Sequence, residues 1–225
     1  MFSGKALDNE TAWVKEMSAY YKDNPMVWMG TNNEASEINP ATGKTDRAAL
    51  TAWQGKTYDA WRSTGNNAPL VFQVNGWADT KSFMRDNNSP IYAKMSNVVA
   101  DIHYYGWLTG YARDQGKVDK FLADMVAATQ TIKTAGGKPA VLVGEYGDST
   151  TGDSIDPNGT MVVDAVGKSG YGSAAWWLAQ GHPGDGLLDG NGGLSAYGQK
   201  VAGYIKQNAA KAKSSLPAGA STGCD

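Results

Sequence analysis

Apolar residues in this chain follow two alternating rhythms. Short runs that are apolar nearly throughout, such as Val141-Leu142-Val143, alternate with longer stretches in which apolar residues return every three or four positions. The short runs predict strands at about 26–33, 69–75, 97–105, 139–145 and 172–177, buried on both faces as in a parallel sheet. The longer stretches predict helices. The first, about 8–22, carries Trp13, Val14, Met17, Tyr20 and Tyr21 on one face and stops at Asp23-Asn24-Pro25. A second, about 46–62, turns Leu50, Trp53 and Trp61 inward, and a short piece is expected near 80–86. The clearest helix, about 117–134, has Val118, Phe121, Leu122, Met125, Val126 and Ile132 as its stripe and ends at Gly136-Gly137. Helices near 160–168 and 194–212 complete the set, the last burying Leu194, Tyr197, Val201, Tyr204 and Ile205.

Five strand–helix alternations after a leading helix define an α/β fold with a parallel sheet. Doubly wound sheets and barrels both fit that order. A dinucleotide-binding sheet needs a glycine-rich turn directly after an early strand, and Gly190-Asn191-Gly192-Gly193 does not follow one directly, which favours a barrel.

Composition narrows the function. With 225 residues and 41% hydrophobic residues the chain has material for one domain with a real core. A net charge of −2 gives no reason to expect nucleic acid or an anionic membrane as partner. No apolar stretch approaches the roughly 20 residues of a membrane span, and Met1–Lys5 carries no signal-peptide core. Cys224 is the single cysteine, which rules out an intrachain disulfide. The two histidines, His103 and His182, lie far apart and form no ligand cluster, so neither a metal nor another cofactor is expected. Residues 1–213 are expected to form the domain and 214–225, rich in Ser, Pro, Gly and Ala, a flexible tail.

The candidate chemistry sits at strand ends. Val141-Leu142-Val143-Gly144 runs into Glu145, and Met26-Val27-Trp28-Met29 leads through Gly30 and Thr31 to Asn32-Asn33-Glu34. Parallel-sheet enzymes keep their reactive groups at such C-terminal ends. A single glutamate there is most simply a loop cap or a surface ion pair. Two from different strands, meeting at one mouth, are the equipment for cleaving a glycosidic bond: one protonates the leaving oxygen while the other attacks the anomeric carbon or activates water. Eight Trp and eleven Tyr also exceed what a core of this size ordinarily uses. Trp53 and Trp61 on a helix face read as core, whereas Trp77 and Trp107, in loops beside glycine, read as flat platforms for sugar rings. The Tyr104 ring, at the end of its strand, is placed where it could do the same.

With these residues in view, the chain resembles the cellulase-like family 5 of glycoside hydrolases, which are retaining enzymes on a (β/α)8 barrel. Asn33-Glu34 resembles the Asn-Glu pair ending barrel strand four, His103-Tyr104-Tyr105 the His-x-Tyr ending strand six, and Gly144-Glu145-Tyr146-Gly147 the strand-seven nucleophile segment. Trp176 and Trp177 fall on the strand-eight segment. The resemblance implies Glu34 as acid/base, Asn33 on the sugar 2-hydroxyl, His103 lining the site, Tyr105 bonding the nucleophile Glu145, and one tryptophan under the reacting sugar. Trp177, at the strand's end, is the preferred one. For His103 a structural role is an equal alternative.

The resemblance also implies a TIM-type barrel truncated to strands four to eight, because one helix alone precedes the Asn33-Glu34 strand. A missing N-terminal barrel portion is then an expected partner. Ala35 stands where the family has proline. The implied function is a retaining endo-β-1,4-glycanase acting by double displacement on β-linked polysaccharide, secreted or periplasmic as its family is. The alternatives are a β-mannanase of the same fold and a non-catalytic truncated barrel that binds sugar weakly. An α/β-hydrolase reading fails for want of a Gly-x-Ser-x-Gly elbow.

Overall fold

The computed structural model describes residues 4–30, 33–35, 38–39, 44–73, 89–110, 112–147, 160–181 and 186–215. Trp77, His182, the short helix expected near 80–86 and the tail from 216 onward fall outside them.

The elements alternate as the periodicities require. Helix α1 is Gly4–Tyr20 and strand β1 is Met29–Gly30. The loop expected after Glu34 contains a small antiparallel ladder, β2 (Ile38–Asn39) with β3 (Lys44–Thr45). Helix α2 is Arg47–Arg62, strand β4 Leu70–Gln73 and strand β5 Val98–Tyr105. Then come helix α3 (Gln115–Thr129), strand β6 (Ala140–Gly147), helix α4 (Thr160–Ser169), strand β7 (Gly172–Ala175) and helix α5 (Ala196–Ser215). The main sheet has the order β1-β4-β5-β6-β7, with β1–β4 and β4–β5 paired in parallel. Sequential strands that neighbour one another in parallel, with a helix between, are βαβ units. Two short 3-10 turns, Pro90–Lys94 and Gly106–Thr109, were not anticipated.

By its contacts the chain divides into two compact units. One is Met1–His103 with Ala123–Gly144, the other Tyr104–Leu122 with Glu145–Asp225. In the first unit α1 packs on α2. Asp46 caps α2, its carboxylate accepting from the Ala49 N–H at 2.9 Å. Leu50, Trp53 and Trp61 are buried as expected, and the Trp53 indole donates to Glu10. Arg62 then ties two strand entrances together: its guanidinium donates to the carbonyls of Asn66, Ala68, Ser96 and Asn97 at 2.8–3.0 Å. In the second unit α4 packs on α5, with Val162, Val163, Val166, Tyr197 and Val201 buried.

Several inward assignments are corrected. On α1 the buried residues are Leu7, Val14 and Ser18, while Trp13 is 53% and Tyr20 77% exposed. Ser18 replaces an aromatic because its hydroxyl donates to the Trp61 carbonyl at 2.8 Å. Leu194 and Ile205 are exposed rather than buried, since Leu194 precedes α5 and Ile205 lies on its outer face. The stripe of α3 holds through Val118, Leu122, Met125 and Val126, but the helix ends at Thr129 and Ile132 is buried beyond it. β6 is not buried on both faces: Val143, Tyr146 and Gly147 are, whereas Ala140 is exposed and Val141 and Leu142 half-buried. β1 is two residues long, and Met26 and Trp28 ahead of it are exposed.

Candidate active site

In the first unit the candidate residues gather where β4 and β5 end. On β5 the side chains alternate, so Asp101 and His103 share a face. His103 is 4% exposed and Asp101 8%. The His103 ring is bonded on both sides. Its Nδ1 lies 2.9 Å from Glu34 Oε1, and its Nε2 lies 2.9 Å from Gln73 Nε2 and 3.3 Å from Asp101 Oδ2. Both ring nitrogens thus face protein partners.

Glu34 is half-buried and adopts a left-handed backbone, φ +45°, which non-glycine residues seldom take. Its N–H donates to Gln73 Oε1, which holds that turn. The other end of the same amide donates to Asn33 Oδ1 at 3.2 Å. Asn33 itself is exposed. Behind Gln73, the buried Gln54 of α2 donates to the Gln73 carbonyl at 2.6 Å and accepts from the Tyr92 hydroxyl at 2.9 Å. Ala35, in the family's proline position, is buried.

Asp101 does a second job. Its Oδ1 accepts from the Gly144 N–H at 2.8 Å, one residue before Glu145. A Cβ on Gly144 would stand 2.1 Å from that oxygen, so only glycine admits the carboxylate there. Neither Gln73 nor Asp101 figured among the sequence candidates. Asp101 carried a readable signal, a charged residue inside an apolar run and two positions from His103.

In the second unit the Tyr105 hydroxyl donates to Glu145 Oε2 at 2.7 Å. The Tyr105 ring stacks with Trp107, centroids 6.5 Å apart and planes 15° from parallel, and Trp107 is half-exposed. Tyr104 is corrected: it is fully buried, its hydroxyl donating to the Val118 carbonyl at 2.6 Å, so its ring offers no sugar platform. β7 ends at Ala175, two residues before Trp177. The Trp176 N–H donates to the Tyr146 carbonyl at 2.9 Å, and Tyr197 donates to the Tyr146 and Trp176 carbonyls. The rings of Trp176 and Trp177 stack with centroids 5.2 Å apart. Trp177 is the more exposed of the two.

Residues 3–182 match the model of the Cellulase (glycosyl hydrolase family 5) family. This chain belongs to that family. Among solved structures, it is similar to the catalytic domain of an endoglucanase from Thermobifida fusca, at 17% identity and a TM-score of 0.63, over 89% of this chain and 64% of that one. A family 5 xyloglucanase from Paenibacillus pabuli matches at 16% identity and TM-score 0.63, over 92% of this chain and 69% of that one. An endo-glycoceramidase II from Rhodococcus sp. matches at 16% identity and TM-score 0.58, over 84% of this chain and 44% of that one. No curated protein matches the sequence. At these identities the likeness is one of fold: α/β, with the parallel strands of a TIM-type barrel. The chain spans 64% of the Thermobifida structure's length and 44% of the Rhodococcus one's.

Proposed function

We propose that this family 5 protein is a retaining endo-β-1,4-glycanase in which Glu145 is the nucleophile and Glu34 the acid/base. The observation that carries the reading is the Tyr105–Glu145 bond at 2.7 Å, which holds the carboxylate in one orientation at the end of its strand. On this reading the strands correspond to barrel strands four to eight, and residues 1–213 form one domain.

The chemistry then runs in two balanced steps. Glu145 attacks the anomeric carbon, the glycosidic carbon–oxygen bond breaks, and Glu34 gives its proton to the leaving oxygen. Water next attacks the same carbon, Glu34 takes its proton, and the bond to Glu145 breaks. Asn33 would hold the 2-hydroxyl of the reacting sugar. Trp177, with Trp176 behind it, would floor that sugar, while Trp77 and Trp107 would stack on neighbouring rings. The Thermobifida and Paenibacillus proteins, an endoglucanase and a xyloglucanase, favour β-glucan as the backbone cleaved. Such a polymer is too large to enter a cell, so action outside the cytoplasm follows.

The test is the anomer released first. Proton NMR of cellotetraose and mannotetraose during hydrolysis should show the β-anomer appearing ahead of mutarotation, with the cello substrate cut faster. Release of the α-anomer would overturn the double displacement.

A further inference from the structure

The amide of Gln73 has only one orientation open to it. A backbone N–H can be met only by an acceptor, so the oxygen facing the Glu34 N–H must be Oε1. Nε2 therefore points at His103 Nε2, 2.9 Å away, and at Asn33 Oδ1, and there it can only donate. His103 Nε2 must then be the unprotonated nitrogen. The ring's proton is left on Nδ1, aimed at Glu34 Oε1 at 2.9 Å.

We infer that Gln73 is a positioning residue that keeps His103 neutral, as the Nδ1–H tautomer, so that Glu34 receives a hydrogen bond with no positive charge beside it. The consequence for catalysis rests on the reading of Glu34 as the acid/base: an acid must hold its proton until the glycosidic oxygen takes it. An imidazolium at 2.9 Å would favour the carboxylate instead. Among the described residues of this unit, the charged groups bonded to the ring are Glu34 and, on its own strand, Asp101. Both are anionic when ionised, so each pulls His103 toward the charged form. The Gln73 N–H is what opposes them, by occupying the nitrogen that would take the proton. Asp101 Oδ2, at 3.3 Å from that nitrogen, is the acceptor waiting if Gln73 is lost. The strand end that carries Gln73 is braced for this task, since its main-chain carbonyl accepts from Gln54, which in turn accepts from Tyr92.

The test combines nitrogen-15 NMR of the imidazole with a pH profile. The chain has two histidines, and a His182→Gln variant assigns the remaining signal to His103. The wild-type ring should show the Nδ1–H tautomer from pH 5 to 8. Gln73→Met removes the donor while keeping the side chain's shape, and His103 should become imidazolium over that range. The alkaline limb of kcat/KM should then move to lower pH by about one unit or more. Gln73→Glu keeps an acceptor for the Glu34 N–H but cannot donate to the ring. It should give the same imidazolium signal even if the Met variant folds poorly. A wild-type ring protonated on Nε2, or an unchanged ring in both variants, overturns the inference. A ring that becomes imidazolium in Gln73→Met while the limb stays put supports the hold of Gln73 on His103 and overturns Glu34 as the acid, so the two failures are distinct.

Discussion

Replacing Tyr105 by Phe removes one oxygen and tests whether the bond to Glu145 matters to turnover. The ring survives the change, and with it the stack on Trp107, so the buried strand end keeps its packing. What is lost is a donor 2.7 Å from Glu145 Oε2. Hydrogen bonds to charged groups contribute about 1.5–3 kcal/mol net. At about 1.4 kcal/mol per factor of ten, the loss predicts a fall in kcat/KM of roughly 10- to 100-fold. The assay is initial-rate hydrolysis of an aryl β-cellobioside, with the urea midpoint of each protein measured alongside. With Glu145 as the proposed nucleophile, most of the loss should appear in kcat, because the bond then orients the attacking group rather than the sugar. A variant within about threefold of wild type at equal stability would refute the reasoning, since so small a change is under about 1 kcal/mol.

Three further outcomes follow from the same coordinates. Arg62→Met strips four carbonyls of their guanidinium donors at the entrances to β4 and β5, and should lower unfolding stability by about 2–4 kcal/mol in urea titrations; Arg62→Lys, a single point charge, should recover only part of it. Gly144→Ala places a Cβ against Asp101 Oδ1 and should cost about 1–3 kcal/mol, with kcat/KM falling because the adjacent residue is Glu145. At high pH, burial pushes the phenols of Tyr92 and Tyr104 above their usual range and that of Tyr146 up to about 12, with Asp119 adding to Tyr104 and Tyr204 to Tyr146, while Arg47 opposes the rise at Tyr92. Their folded pKa values lie above the unfolded value near 10, so this stability is complete below pH 10 and is lost as pH climbs toward 12 and beyond. Ultraviolet titration at 295 nm should show these phenols ionising only as the protein unfolds.

The alternation of strand and helix was legible because burial imposes its own period. The stripe Val118, Leu122, Met125 and Val126 is apolar since α3 has one buried face, and the eight buried residues of β5 read as a continuous run for the same reason. On α1, where aromatics are expected inward, the structure differs. Trp13 and Tyr20 are exposed, while a serine takes the inner position by bonding a carbonyl 43 residues away. Large apolar side chains are not obliged to be inside, and a small polar one is accommodated there once it is satisfied. The site divides similarly. The ends of β5 and β6 marked out His103, Tyr105 and Glu145, because a polar residue closing an apolar run stands out. Gln73 was invisible, since its meaning lies in a turn 39 residues earlier, around Glu34, that no local pattern foretells.

The central claim, that Glu145 is the nucleophile of a retaining glycosidase, is tested most directly by trapping. Incubation with a 2-deoxy-2-fluoro β-cellobioside carrying a good leaving group should add one fluorosugar to the intact mass. Peptide mapping should place it on Glu145, and Glu145→Gln should abolish it. A fluorosugar found on any other residue, or one that persists in Glu145→Gln, would contradict the account.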